Sequence, residues 1–485
     1  MEDKKTTFFK GVSVQTIVTA LMGILEILVF AIMSRLLTKE DFGYFAALTG
    51  IMTICTSITE AGLGASIVQK KDASEQFLST AFTLSLTFGL IGSIAIFILS
   101  PWLANVVADD HILLPMRVMS INIFLACSSS VGRNIMLKGL KFKQIGVLSV
   151  VAYTASSIIG ISMAFYGMGL WSIVSISIIN LLLFNALLYT RRIKLPKLKI
   201  HKQEVRGIVS YGGWLTLSVI TNNITQQMDR IFLTKWTSVM ILGAYNRPAG
   251  FVGNITNKIN GIFDTVLFPM LSDMQNNKSK VQEVFLKAIA ILNSFAIVLF
   301  AIFFFNAELI ITIFFGNEWL ELVPALRIIS VFVIFNVDNR LVDCFFRSLG
   351  LVKLGFQLRV ISAIITFISL YVGSKYGVCG VATALVTANV TTVIMKMFFL
   401  TNRLNLSVLN VIKTWIIAEK PILPLLLFGI PYIIFIDKTL LSEFLFASVM
   451  GMVILAEFLF LPSFVGKLYT QMIYPSISKV LHKIK

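Results

Sequence analysis

Charge is scarce in this sequence. Only 13% of its 485 residues are Asp, Glu, Lys or Arg, about half the share usual for a soluble globular domain, and that excludes an ordinary solvated surface. Acid is scarcer still, with 24 acidic residues against 41 basic ones and a formal net charge of +17. Cysteine and histidine number only 4 and 3. Cys55, Cys127, Cys344 and Cys379 stand singly inside apolar runs, which gives neither a disulfide framework nor metal-ligand spacing; they read as small packing residues. His111, His201 and His482 are scattered over connections and the C-terminal tail, too far apart to build a metal cluster or to serve a nucleophile. No P-loop occurs, so the chain is not expected to hydrolyse ATP. Long polar segments are missing too, leaving no room for a sizeable soluble domain. The expectation is a protein that is not an enzyme, with no cofactor and no metal.

What is abundant is hydrophobic residues, 57% of the chain, with a mean hydropathy of +0.87. A membrane-crossing helix needs about 20 mainly apolar residues. Hydropathy divides the chain into about fourteen such spans: 11–37, 42–66, 77–104, 113–137, 143–166, 169–190, 208–234, 240–269, 284–306, 322–346, 354–373, 378–400, 421–437 and 443–465. The first run is longer than the ~7 to 15 residues of a signal-peptide core and no clear cleavage site follows, so it is expected to stay as a helix. Basic residues gather in alternate connections, among them Lys70 and Lys71, Lys138 to Lys143, Arg191 to Arg206, and Lys467 to Lys485. The opposite connections carry acids such as Asp109, Asp110, Glu318 and Glu321. The positive-inside rule makes the basic set cytoplasmic and, with an even span count, both termini cytoplasmic. The positive charge is therefore topological, and nucleic acid is not an expected partner.

The chain repeats itself. Leu37-Thr38-Lys39 with Gly43-Tyr44 resembles Leu233-Thr234-Lys235 with Gly243-Ala244-Tyr245, the second copy having the longer turn. Lys138-Gly139-Leu140 with Gly146 matches Arg347-Ser348-Leu349 with Gly355, and Tyr166-Gly167 matches Tyr376-Gly377. The last two offsets nearly agree, 347 − 138 = 209 and 377 − 167 = 210, as tandem copies require. The expected organisation is an N-terminal six-helix lobe (1–190), a basic cytoplasmic linker (191–207), a C-terminal six-helix lobe (208–402) and an appendage of two helices with a basic tail (403–485). Parallel repeats of this kind are related by a pseudo-two-fold along the membrane normal.

Polar residues at bilayer depth are costly and tend to face water or one another. Span 1 carries Gln15, Thr19, Gly23 and Glu26 on one face, and span 2 carries Thr49, Thr53, Thr56 and Glu60. Span 7 has Asn222, Gln226 and Asp229 beside Asn223, Gln227 and Arg230; span 8 has Arg247, Asn254 and Lys258 in one stripe, flanked by Asn257 and Asp264. Pseudo-symmetry would bring these four stripes to one cavity. Span 10 adds Asn336, Arg340, Asp343 and Arg347 toward its cytoplasmic end, where a surface-facing or a gating role fits. Bland readings stand beside these. Threonines in spans often bond back to their own helix, and Glu60, Arg35 and Arg347 sit where long side chains snorkel. Glu26 and Lys258 lie deeper, where a charge costs roughly 2.5 to 3.5 kcal/mol on an isolated helix, and are expected to face the cavity.

Lys258 and Arg247 among Asn and Gln amides offer donors for phosphate oxygens and sugar hydroxyls. A hydrophobic cation would prefer aromatic and carboxylate walls. Glu26, and with it Asp229, reads either as a carrier for a proton or sodium gradient or as a counter-ion, Glu26 to Lys258.

The segments Ser34 to Phe45, Glu60 to Gln69, Leu242 to Arg247 and Val266 to Ser272 resemble signatures of the Wzx-type polysaccharide flippases. That resemblance extends over essentially the whole chain. It implies membership of the multidrug/oligosaccharidyl-lipid/polysaccharide (MOP) exporter superfamily, an all-α membrane fold whose two six-helix lobes form a V around a cavity lined by helices 1, 2, 7 and 8. It also implies a bacterial inner-membrane protein that translocates undecaprenyl-diphosphate-linked oligosaccharide by ion-driven alternating access, for lipopolysaccharide, capsule or exopolysaccharide synthesis. Other polysaccharide-assembly proteins are implied partners, and a monomer suffices because two lobes enclose one cavity. The chain departs from the lipid II flippase of the superfamily, which places several arginines in its N-terminal lobe. Here the diphosphate contact is expected on the C-terminal lobe, through Lys258 and Arg247, with Asn222, Asn223, Gln226, Gln227 and Asn254 as cavity residues for the sugar. The rival readings are a multidrug exporter of the same superfamily and a membrane polysaccharide polymerase, the latter disfavoured because the longest connections are cytoplasmic.

Overall fold

The computed structural model describes residues 2–60, 67, 74–107, 110–139, 141–190, 197–205, 220, 223–224, 226–227, 230, 233, 235–275, 277–418, 422–435 and 440–460. Every regular element among them is helical. Nine segments of the described residues are long and apolar enough to cross a membrane, and the last, Lys353–Leu404, comprises two helices. Together they cover spans 1–6 and 9–12. Span 7 lies mostly outside the described residues. Span 8 is a continuous helix, but its charges and amides keep its hydropathy low. The chain divides into two compact units, Met1–Asn246 and Arg247–Lys485. This division is by contact and falls inside span 8; the repeat-based boundary at 191–207 is by sequence.

The first unit contains α1 (Glu2–Leu36), α2 (Lys39–Glu60), α3 (Glu75–Val107), α4 (Leu113–Met119), α5 (Ile121–Lys138), α6 (Phe142–Phe165), α7 (Leu170–Thr190) and the first turns of α8 (Val239–Met274). Small residues let these helices approach closely, the usual device where lipid supplies no hydrophobic drive. A Cβ at Gly89 of α3 would stand 2.6 Å from Cys127 Cβ of α5, and Ser85 Oγ donates to the Cys127 carbonyl at 2.8 Å. Cys127 is thus a packing residue, fully buried and free. Amide and hydroxyl groups join α5 to α7: Asn122 Nδ2 donates to Ser177 Oγ at 3.0 Å, Asn185 Nδ2 to the Leu125 carbonyl at 2.9 Å, and Tyr189 Oη to the Ser128 carbonyl at 2.7 Å. Leu90, Ile91, Ile94, Ile98 and Trp102 of α3 are exposed, as a lipid-facing stripe requires. Part of the basic linker is docked on this unit, where the His201 amide donates to Thr80 Oγ1 at 3.0 Å.

The second unit contains the rest of α8, then α9 (Lys278–Phe305), α10 (Ala307–Phe314), α11 (Val323–Ser348), α12 (Val352–Gly373), α13 (Gly377–Leu404), α14 (Val408–Ala418), α15 (Ile422–Phe435) and α16 (Leu440–Phe460). Spans 13 and 14 pack on α9, where Ala301 and Phe305 form a core with Leu425, Tyr432, Phe446 and Met450. The Tyr432 and Phe446 rings stack with centroids 3.8 Å apart. Helix α14 lies where only a basic connection was expected. Its Val408, Leu409, Ile412, Ile416 and Ile417 are exposed while Val411 and Ala418 are buried, the character of a short interfacial helix.

Helix boundaries carry the repeat. α5 ends and α6 begins at Lys138 and Phe142; α11 ends and α12 begins at Ser348 and Val352, an offset of 210 for both (348 − 138 and 352 − 142). Gly167 and Gly377, also 210 apart, share a positive φ of 74° and 68°, a conformation in which glycine alone is unstrained. The first match needs correction. Thr38 caps α2 through its bonds with Asp41, and Ser238 caps α8 by accepting from the Ile241 amide at 3.2 Å; 238 − 38 = 200. The Leu37 amide donates to Met33 as Thr237 donates to Leu233, again 200 apart. The turn has the same length in both copies, and Leu233 answers Met33, one helical turn before the counterpart of Leu37.

Candidate functional site

In the first unit, the threonines of α2 turn inward on their own helix. Thr49, Thr53 and Thr56 donate to the carbonyls of Phe45, Thr49 and Met52 at 2.7–2.8 Å, so they serve the helix and offer little to a ligand. Glu26 is half-buried on α1. From the seventh span, Asn223 Nδ2 donates to Ser57 Oγ of α2 at 2.5 Å, which ties the two helices together. Gln226 is exposed and Gln227 half-buried. The Gln227 Oε1 atom is buried and has no hydrogen-bond partner among the described residues. An orphaned buried acceptor costs free energy, and a ligand hydroxyl would repay it. Asn222 and Asp229 lie outside the described residues.

Two glycines give this unit its tightest helix crossing. A Cβ on Gly43 would stand 2.0 Å from the Val239 carbonyl oxygen, and one on Gly243 would stand 1.8 Å from the Lys39 carbonyl oxygen. Each glycine thus lies on the first residue of the other helix, in reciprocal fashion.

In the second unit, α8 presents Asn254 and Asn257 exposed and Lys258 half-buried, while Arg247 is buried, at 8% exposure. These residues are joined by α11, whose Arg340 Nη2 donates to Asn257 Oδ1 at 3.2 Å. Further along the accessible stripe of α11, Asp343 Oδ1 accepts from Lys396 Nζ of α13 at 2.8 Å, and Lys396 also donates to Asn339 Oδ1 at 2.8 Å. Arg359 of α12 approaches the other Asp343 oxygen at 3.7 Å. Arg347 donates through Nε to the Asp343 carbonyl at 3.3 Å.

Arg340, Asp343 and Arg347 are legible as a stripe in the sequence, whereas Lys396 and Arg359 are not. Each is a single cation in an otherwise apolar span; Lys396 had a signal, since Asn389, Thr392 and Lys396 share a helix face. Asp338 was missed as well. It is fully buried and accepts from Asn293 Nδ2 of α9 at 2.8 Å and from Trp415 Nε1 of α14 at 2.9 Å. It lies five positions before Asp343, about 140° around the helix, so it points away from the stripe and bolts three helices together. Among the described residues, no group of three or more His, Cys, Asp or Glu side chains is placed to hold a metal ion.

Comparison with known proteins follows the same lines. Residues 32–324, more than half of the chain, match the family model described as polysaccharide biosynthesis protein. The lipopolysaccharide biosynthesis protein WzxC of Escherichia coli (strain K12) is 19% identical over 401 residues, covering 82% of this chain and 81% of the relative. Among solved structures, the lipid II flippase MurJ in an inward closed conformation superposes with a TM-score of 0.71 at 14% identity, covering 92% of this chain and 98% of that one. An inward-facing multidrug resistance MATE family transporter of the MOP superfamily gives a TM-score of 0.65 at 15% identity, over 80% and 98%. These likenesses establish the fold, that of flippases and transporters.

Proposed function

The chain belongs to the polysaccharide biosynthesis protein family and is a multi-pass membrane transporter rather than an enzyme; from that premise we propose that it flips undecaprenyl-diphosphate-linked oligosaccharide repeat units. The direction is from the cytoplasmic to the periplasmic leaflet of a bacterial inner membrane, with both termini cytoplasmic, and the product serves O-antigen, capsule or exopolysaccharide assembly. The observation that carries this reading is the pair of cationic side chains, Arg247 and Lys258, set among amides on α8. Its Lys258 and Arg247 suit the diphosphate or acidic sugars, and Asn254 suits sugar hydroxyls. Asn223, Gln226 and Gln227 add sugar contacts, the orphaned Gln227 oxygen accepting a hydroxyl. Transport runs by alternating access in a monomer, coupled to a proton or sodium gradient through Glu26 and Asp229, without any cofactor.

The likeness to a multidrug transporter fold favours a second reading, export of drug-like cations. The two cationic side chains of the candidate stripe, Arg247 and Lys258, oppose it, since a drug-like cation prefers aromatic and carboxylate walls.

The test is translocation of fluorescent undecaprenyl-diphosphate oligosaccharide in proteoliposomes under an imposed proton or sodium gradient. Gradient-stimulated flipping that is lost in Lys258→Ala is the expected result. No flipping under either gradient, together with efflux of cationic dyes, would overturn the substrate and favour the second reading.

A further inference from the structure

Helix α11 buries a mainly apolar face and leaves a polar stripe partly exposed. Val333, Ile334, Val337, Leu341, Val342, Phe345 and Phe346 are buried, whereas Asn336, Asn339, Arg340, Asp343 and Arg347 keep some exposure. In a bilayer such a face does not meet acyl chains, because unsatisfied charge there is too costly. The neighbouring helix shows the contrast, for α12 exposes Phe356, Val360, Ile361, Ile364 and Ile368, an apolar lipid-facing surface. The polar face of α11 therefore fronts water or a polar ligand.

The charges on this face do not cancel. Arg340, Arg359 and Lys396 bring three positive charges to the cluster, and the carboxylate that Lys396 and Arg359 approach is that of Asp343. Lys396 is 2% exposed and spends its ammonium on Asp343 and Asn339; it anchors the floor of the cluster and is too deep to greet a ligand. The arginines are different. Arg359 stands 3.7 Å from the carboxylate, beyond hydrogen-bonding reach, so its planar fork is not committed to Asp343. Arg340 has one 3.2 Å bond to the amide oxygen of Asn257, an acceptor without charge. Forked guanidinium groups match the oxygens of a phosphate two at a time, as an ammonium does not.

We infer that Arg340 and Arg359, set over the Asp343–Lys396 pair on the accessible face of α11, form a second anion seat that takes the diphosphate of an isoprenoid lipid. The inference rests on the transport reading for the identity of that lipid. By the orientation expected from the basic connections, α11 runs toward the cytoplasm, so this seat lies nearer the cytoplasmic leaflet than the first turns of the helix do. It is an entry site, engaged before the diphosphate reaches Lys258, which Asn257 adjoins. Basic pockets between membrane helices also take anionic lipid headgroups, and the experiment must separate that source of phosphate from the substrate.

The full-length protein is placed in phosphatidylcholine nanodiscs, and binding is measured for undecaprenyl diphosphate, undecaprenol and cardiolipin. Arg340→Gln and Arg359→Gln should each weaken undecaprenyl diphosphate by roughly tenfold or more, the loss of a charge-assisted hydrogen bond, with no change for undecaprenol. Arg340→Lys and Arg359→Lys should fall between, since charge is kept and the fork is lost. Thermal unfolding of each variant checks the fold, and the lysine variants carry the test should a glutamine variant fail to fold. Undecaprenyl diphosphate binding within about twofold of the parent in both glutamine variants overturns the seat. So does a loss confined to cardiolipin. Flipping by the parent that survives in these variants, with binding unchanged, sinks the seat and leaves the transport reading standing. Diphosphate binding that depends on the arginines in a protein that flips no oligosaccharide supports the seat and sinks the transport reading.

Discussion

The buried carboxylate at Asp338 should be structural, and its removal gives a quantity to check. Asp338 is fully buried and accepts from Asn293 Nδ2 at 2.8 Å and Trp415 Nε1 at 2.9 Å. Asp338→Asn replaces one accepting oxygen with a donor, so one of these donors loses its acceptor. A buried, unsatisfied donor costs about 1–3 kcal/mol. For a unit of this size that is roughly 2–4 °C in Tm per kcal/mol, so a fall of roughly 2–12 °C is expected. Asp338→Ala orphans both donors and leaves a cavity, and should cost about twice as much. The assay is thermal unfolding of purified protein in detergent, followed by intrinsic fluorescence. A cycle with Trp415→Phe isolates the bond from α14 to α11. The double variant should be less destabilised than the sum of the singles by roughly 0.5–3 kcal/mol, the usual range for groups in contact. Strict additivity would refute the hydrogen bond as the source. Transport per folded molecule should stay within about twofold for Asp338→Asn; a large loss of transport at an unchanged Tm would show that the group couples ions and does not merely brace helices.

Four further outcomes follow from the geometry. Gly43→Ala and Gly243→Ala should each lower Tm and prise α2 from the first turn of α8, because their Cβ atoms would fall 2.0 and 1.8 Å from backbone oxygens; faster maleimide labelling of a cysteine placed at Lys39 reads the opening. Gly89→Ala should cost roughly 1–3 kcal/mol by overpacking and be partly rescued by Cys127→Gly, whose Cβ is the 2.6 Å neighbour. Asp343→Asn should destabilise more than Lys396→Met in thermal unfolding, because the first strands a buried ammonium and the second leaves Asp343 beside Arg359. Glu26→Gln should abolish the pH or sodium dependence of flipping in proteoliposomes, and unchanged dependence would remove Glu26 from ion coupling.

Much of the fold is legible because hydropathy, basic connections and glycine turns are properties of local sequence. The paired glycines at 167 and 377 keep the same backbone conformation, and a motif match finds them. The Leu-Thr-Lys match at 233–235 misled by one helical turn for an equally physical reason. Helix starts are set by a capping hydroxyl, and the cap here is Ser238, which three identical letters upstream cannot reveal. Helix α14 escaped notice because it is short and lies in a basic connection, where Val408, Leu409, Ile412, Ile416 and Ile417 look like breaks in a polar segment until they are placed on one helix.

The site was legible only where polar residues recur along one helix. A stripe at i, i+4 and i+7 announces Asn336, Arg340 and Asp343, because one side of a helix with 3.6 residues per turn collects them. Lys396 and Arg359 answer that stripe from other helices, and each is one charge in an apolar run, so only tertiary structure brings them to Asp343. Asp338 marks the opposite limit. It lies five positions before Asp343, about 140° around the helix, and the same residue type there accepts from an amide and an indole while fully buried, whereas Asp343 accepts from a lysine on a face that keeps some exposure. Two aspartates on α11 thus divide the labour, one bracing helices and the other holding cations at a surface a ligand can reach. Neutralising Asp343 should therefore change anion affinity as well as stability, raising it as Arg359 loses its carboxylate, whereas neutralising Asp338 should change stability alone.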